Sequence, residues 1–304
     1  FLSDDSPDPI SKLVIEGFKS LANRTEIEIR PLTLLAGANS SGKSSALQPL
    51  LLLKQTLEAQ FDPGPLLLNG PNANFSLKSQ LFTNIECARC ENVFSIGVHL
   101  LSGGMIMPFF ENVGEDLSIN KMCIKRDKDE SMIKLRERME MKELREQGKD
   151  IVPEDFSFML EEEESEEDLS PKLSISRDRC FLSMSIVTEK GKLTNMYNYK
   201  FIFPIYGVIH VPGLRDNPSR TYKTTAVGNR FPGTFDTYVA SVIYAWQQES
   251  DERLRHLIKQ LQFLELTNKV VAKRINDTQV KLQVAQEPIG ASEERMINVA
   301  DVGI

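Results

Sequence analysis

The distribution of apolar and polar positions divides the chain into short strands, a few helices and several polar breaks. Residues 12–18 form a compact apolar run, and residues 25–30 alternate with Ile27 and Ile29 on one face, so both read as strands. Residues 32–36 are continuously apolar, the pattern of a strand buried on both faces. A Gly/Ser loop follows, then an apolar-rich helix over 43–59, with Pro49 expected to kink it or reset its first turns. Asp62-Pro63-Gly64-Pro65 ends that helix. From 75 to 127 short strands and turns alternate, and Ser102-Gly103-Gly104 between two apolar runs reads as a hairpin turn. Residues 128–148 place Met132, Leu135 and Met139 at three- and four-residue spacing, which predicts a charged, peripheral helix. Residues 161–168 are an acidic run with the character of a mobile, solvated loop. Strands are expected at 171–188 and 198–211, helices at 235–248 and 252–266, and a final strand pair at 269–275 and 279–284. Residues 1–10, rich in Asp, Ser and Pro, read as a loose terminus, and no internal repeat is present.

Composition narrows the class. The 304 residues are 41% hydrophobic and 26% charged, ordinary for a globular protein with a sizeable core. Net charge is −7, which argues against a protein that coats nucleic acid through overall basicity. That charge is local: residues 121–170 carry 10 Lys and Arg against 17 Asp and Glu, so the rest of the chain is neutral. The longest apolar runs, 49–53 and 201–211, fall short of the roughly 18 residues that a membrane helix needs. No charged-then-apolar leader opens the chain. Four cysteines, at 87, 90, 123 and 180, are too few for a disulfide scaffold, so a cytoplasmic protein without membrane partners is expected. Phe1 and Ile304 both read as cut ends, which predicts a piece of a longer protein.

One motif carries chemistry. Gly37-Ala38-Asn39-Ser40-Ser41-Gly42-Lys43-Ser44 fits G-x-x-x-x-G-K-[ST]. In such a loop glycines let successive backbone N–H groups converge on a phosphate, and the following helix adds its positive end. Lys43 is the side chain for the β- and γ-phosphates, and the Ser44 hydroxyl is the Mg²⁺ ligand. Average residue frequencies put a chance occurrence at roughly 1% in a chain of this size.

The flanking residues narrow this further. Leu13-Val14-Ile15-Glu16-Gly17-Phe18-Lys19-Ser20, the strand at 26–29, and Pro31-Leu32-Thr33 leading into the loop resemble the opening of ABC-type ATPases of the SMC/RecF/OLD group. His210-Val211-Pro212-Gly213-Leu214-Arg215, Arg220-Thr221-Tyr222 and Val227-Gly228 resemble a later segment of bacterial AAA-family ATPases, and residues 297–303 the approach to their signature helix. The resemblance implies an α/β P-loop fold of ABC-ATPase type, with a mixed sheet, an antiparallel β subdomain and a short helical and acidic insertion. The corresponding divisions are an N-terminal lobe at 1–127, an insertion at 128–170 and the remainder of the head at 171–304. It further implies ATP at Gly37 and at Asn39, Ser40, Ser41, Gly42, Lys43, Ser44 and Ser45, Mg²⁺ at Ser44, and a catalytic role for Lys43. Lys19, Ser20 and Arg24 would lie near the base or phosphates, with plain surface charge as the alternative for Lys19 and Arg24. Arg215 and Arg220 are either phosphate or partner contacts or structural pairs, and Gln80 aligns loosely with a γ-phosphate-sensing glutamine.

No apolar run ends in the Asp-Asp or Asp-Glu that a complete ATPase uses, and the resemblance implies that this element and the signature helix follow 304. Leu101-Ser102-Gly103-Gly104 spells the ABC signature but sits between two strand-like runs, so it is expected to be a turn. Cys87-Ala88-Arg89-Cys90 lacks a second ligand pair for zinc and reads as two ordinary thiols. The expected function is an ATPase head that forms a homodimer or higher homo-oligomer around ATP, in DNA repair or in defence against phage and plasmids, with DNA or an effector protein as partner. The rival readings are a nucleotide-gated scaffold without turnover and a metabolite kinase.

Overall fold

The computed structural model describes residues 8–39, 41–83, 92–125, 132–147, 172–188, 191–194, 199–213, 217–228, 230–286 and 295–302. The chain forms two compact units, Phe1–Val208 and Ile209–Ile304. The sequence-derived divisions at 127 and 170 both fall inside the first.

Strands β1 (Ile10–Glu16), β2 (Thr25–Glu28), β3 (Val93–Leu100), β4 (Met105–Val113), β5 (Asp116–Lys125) and β6 (Met132–Leu135) form one sheet in the order β2-β1-β3-β4-β5-β6. Every pairing in it is antiparallel. Alternation along β1 decides which face is the core. Leu13 and Ile15 join the main apolar cluster, while Val14 points the other way, towards Met105, Met107 and Cys123. Helix α1 (Lys43–Glu58) lays Leu50, Leu53 and Leu57 into the core and runs unbroken through Pro49. In the middle of the cluster Phe18 meets Phe94 edge to face and Phe94 stacks on Phe110, with ring centroids 5.5 and 5.1 Å apart. A second antiparallel sheet of β7 (Lys172–Asp178), β8 (Phe181–Thr188) and β9 (Gly191–Thr194) adds Ile175, Phe181 and Leu182.

Expectations for three segments are corrected. Residues 32–36 are not a buried strand: Leu32 and Leu34 are 76% and 80% exposed. Beyond β2 the chain turns instead, with the Thr33 hydroxyl accepting from the Arg30 amide and donating to the Glu28 carbonyl. A strand buried on both faces needs neighbours on its edges, and none of the described strands pairs there. The parallel component of the expected mixed sheet is therefore missing from the sheets described. Residues 132–135 form strand β6, not part of a helix, and only Met141–Arg145 is helical there (α2). The free edge of β5 pairs with a segment whose inward residues, Ile133 and Leu135, also fit a period of two. The segment is not peripheral either, since Ile133, Leu135, Met139 and Leu144 all lie in the main core; residues 148–171, with the acidic run, lie outside the described residues. Finally, the apolar run from 201 opens as helix α3 (Tyr199–Tyr206), not a strand. Phe201 and Ile205, four residues apart, both reach the core from it.

In the second unit, β12 (Gln279–Gln286) pairs with β11 (Val270–Asn276) on one side, and with β10 (Tyr222–Lys223) and β13 (Arg295–Asn298) on the other. Helix α4 (Val239–Gln248) covers one face of this sheet, packing Ala240 and Ile243 on Val270, Ala272, Val280 and Leu282. Helix α5 (Glu252–Phe263) adds Leu254, Leu257 and Leu261 at its margin. The expected helices and the last strand pair are present.

Candidate functional site

The glycine-rich loop runs into α1 through Gly42, whose φ of 92° is a conformation that L side chains rarely adopt. A Cβ at Gly42 would also lie 2.8 Å from the Ser20 Oγ, so that hydroxyl would have to move. At Gly37 a Cβ would come within 2.6 Å of the Ser41 Oγ. The loop is thus closed tightly around its own backbone, with the Ser41 amide donating to the Ala38 carbonyl at 3.2 Å.

No side chain caps the start of α1, and its first turn holds no acidic residue. Its leading N–H groups and the positive end of its dipole are therefore available to an anion, with no carboxylate of that turn to repel it. The Lys43 ammonium folds over the loop and donates to the carbonyls of Gly37 at 2.8 Å and Ala38 at 2.6 Å. Ser44 is exposed, whereas Ser45 is buried under the loop. Asn39 is exposed, and Ser40 lies outside the described residues.

The turn after β1 brings Ser20 to the loop. It is held by reciprocal bonds between Phe18 and Leu21 and by the Lys19 amide donating to the Leu81 carbonyl. Lys19 itself turns elsewhere: its ammonium donates to the Gln48 Oε1 at 3.0 Å and sits 5.1 Å from the centre of the Phe75 ring. Gln48 was not singled out from sequence, although it lies one helical turn beyond Ser44 on α1. Lys19, Gln48, Phe75 and Gln80 line a polar cavity of about 850 Å³. The Gln80 Oε1 is taken up locally, accepting from the amides of Ser76 and Leu77. Arg24 faces Glu26, donating at 3.1 and 3.0 Å, and Lys12 joins the same carboxylate.

Arg220 pairs with Asp301 at 2.7 Å, the structural-pair alternative, and Arg215 lies outside the described residues. Leu101–Gly104 is a hairpin turn between β3 and β4, closed by the Leu100 amide donating to the Gly104 carbonyl. Cys87 and Cys90 lie outside the described residues. Among the described residues no group of three or more His, Cys, Asp or Glu side chains could hold a metal. An ion at Ser44 would need ligands beyond this hydroxyl, and phosphate and water commonly supply several of those of Mg²⁺. The exposed hydroxyl beside an anion-receiving helix end fits that arrangement.

Among the described residues no helix is long and apolar enough to cross a membrane. No curated protein and no solved structure matches the chain. A family model, that of the AAA ATPase domain, matches residues 9–219, which takes in β1, the glycine-rich loop, α1 and most of the first unit. With more than half of its length matched, the chain belongs to the AAA ATPase domain family.

Proposed function

We propose that the first unit is the ATP-binding part of an ATPase head of ABC type, related to the SMC/RecF/OLD group. The observation that carries this reading is the uncapped, acid-free start of α1, entered through a glycine-rich loop at the positive φ of Gly42. The β-phosphate would sit on the amides of residues 41–44, and Lys43 would exchange its two carbonyl partners for phosphate oxygens. Ser44 would hold Mg²⁺, which supplies charge neutralisation between the β- and γ-phosphates. Ser20 keeps the loop in register through Gly42, and Lys19 and Gln48 flank the adjoining cavity.

On this reading heads assemble around ATP as a homodimer or higher homo-oligomer. The pathway is DNA repair or defence against phage and plasmids, with DNA or an effector protein as the further partner. The described cysteines, Cys123 and Cys180, are free and buried, in keeping with a reducing cytoplasm.

The test is calorimetric titration of the protein with ATP and Mg²⁺. Lys43→Ala is expected to weaken binding by about 2–5 kcal/mol, about 30-fold or more. Unchanged affinity would remove the loop from the site. Steady-state phosphate release, with Lys43→Ala as the blank, separates hydrolysis from nucleotide-gated assembly without turnover.

A further inference from the structure

We propose that Gln147 and Gln247 are plugs that close an outer edge of two separate sheets and keep each edge from pairing with the same edge of a second copy of this chain. β6 and β11 are the outermost strands on one side of their sheets. On each, a single carboxamide holds both backbone groups of one residue. The Lys134 amide of β6 donates to the Gln147 Oε1 at 2.8 Å, and the Gln147 Nε2 donates to the Lys134 carbonyl at 2.9 Å. On β11 the Ala272 amide donates to the Gln247 Oε1 at 2.6 Å, and the Gln247 Nε2 donates to the Ala272 carbonyl at 3.2 Å. Two bonds exchanged with one residue are what the next antiparallel strand would offer, so each side chain takes the place of one strand residue.

Without the plugs both edges are self-complementary. Backbone groups alternate between the two sides of a strand, so those facing out belong to Met132 and Lys134 on β6, and to Val270, Ala272 and Arg274 on β11. Against an antiparallel β6 of a second copy, Met132 would lie opposite Lys134 and Lys134 opposite Met132. Against a second β11, Ala272 would meet its own equivalent and Val270 would meet Arg274. Neither pairing sets like charges opposite each other, a clash that would otherwise discourage it. The far edge of the main sheet, at β2, is built differently. Its Glu26 and Glu28 carry Lys12, Arg24 and Arg30 as partners, and charged side chains guard that edge.

Satisfying a polar group does not by itself account for the contact at β6. Lys134 is exposed, and water would serve its amide and carbonyl equally well. Packing aims both glutamines. Gln147 follows α2 in a turn set by Leu144, which is buried in the main core and whose carbonyl accepts from the Gln147 amide at 3.1 Å. Gln247 lies one turn beyond Ile243 and two beyond Ala240, on the face of α4 that covers the sheet. The plugged positions are also the effective ones. With Lys134 taken, only Met132 still faces out on β6. With Ala272 taken, Val270 and Arg274 are separated, and isolated positions cannot seed a ladder.

The experiment is sedimentation velocity of the whole protein without nucleotide, across a range of protein concentration, paired with amide hydrogen exchange at residues 134 and 272. Combined Gln147→Ala and Gln247→Ala is expected to associate at about tenfold lower concentration than the unmodified protein, from the backbone bonds each opened edge can exchange. In dilute solution both amides should exchange faster than in the unmodified protein. Rising concentration should slow them again, which a general loss of stability would not do. Gln147→Ala alone, at a half-buried turn position, is the milder variant and should show the same behaviour at residue 134. Adding Lys134→Pro to it is expected to return association to the level of the unmodified protein. Proline removes the opened donor, while β6 keeps its bonds to β5 through Ile133 and Leu135. Lys43→Ala is expected to change none of this, so a failure here and a failure of the ATP reading stand apart. Unchanged association in the Gln→Ala variants overturns the proposal. So does association that Lys134→Pro leaves in place, or equally fast exchange of both amides in the unmodified protein.

Discussion

Lys54 is fully buried on α1, where its ammonium pairs with Glu58, itself only 7% exposed, one turn further along the helix. A lysine in a core survives as a cation only while a counter-charge goes in with it. Glu58→Gln removes that charge and keeps the shape, so it is expected to cost about 3–5 kcal/mol, read as a lower urea midpoint at constant slope. Combined Lys54→Met and Glu58→Leu should recover most of the loss, because an apolar pair of similar volume needs no compensation. Failure of Glu58→Gln to lower the midpoint would mean that Glu58 is not what holds the charge of Lys54. Nothing in the local sequence marks this pair as buried. A Lys and a Glu four apart on a helix normally signal a solvated face.

At the level of elements, α1 is held at both ends, and each end was differently legible. Its start follows from the motif itself. Its end is held by residues distant in sequence: Arg179 donates to the carbonyls of Thr56 and Leu57, and the Tyr206 hydroxyl donates to Leu57 at 2.8 Å. Next to it Arg177 clasps Asp62 with two bonds, at 2.8 and 2.6 Å. That guanidinium holds the Asp62 carboxyl at about 2, below its ordinary 3.8. A lowered carboxyl stabilises the fold above the unfolded value and loses that contribution as pH falls from about 4 towards 2. The pair is well exposed, so solvent screening limits it to about 0.5–1 kcal/mol. Asp62→Asn should lower neutral stability by about that amount and flatten the acid limb of the stability curve in that window, as followed by circular dichroism. The exposed segment at 32–36 gives an opposite expectation. Leu32→Ser with Leu34→Ser should shift the melting temperature of this chain by no more than a surface change does, about 0.5 kcal/mol. A large loss would show these leucines covered in solution.

Across the whole molecule, stability should also respond to mild acid through His99. Burial, helped by Lys12 on the neighbouring strand, lowers its pKa below the ordinary 6.5. The unfolded chain then binds the proton more readily, so the contribution is complete above about 6.5 and declines as pH falls below it. His99→Gln should remove that decline between pH 7 and 5 without touching the Asp62 window; a decline that persists in the variant assigns it to another group. What the sequence determined by itself was local: the glycine-rich loop and its helix, the β3–β4 turn that only spells a signature, and the final strand pair. In each, backbone conformation, turn chemistry and short-range periodicity act within a dozen residues. Tertiary structure decided the rest. It made 132–135 a strand because β5 offered a free edge, and made the run from 201 open as a helix because Phe201 and Ile205 meet the core one turn apart. It left 32–36 uncovered because none of the described strands lies beside it, although its composition reads as fully buried. It also turned Lys19 towards Gln48 and Arg24 towards Glu26, since a flexible cation follows whichever acceptor the fold places within reach, and spacing along the chain does not record that.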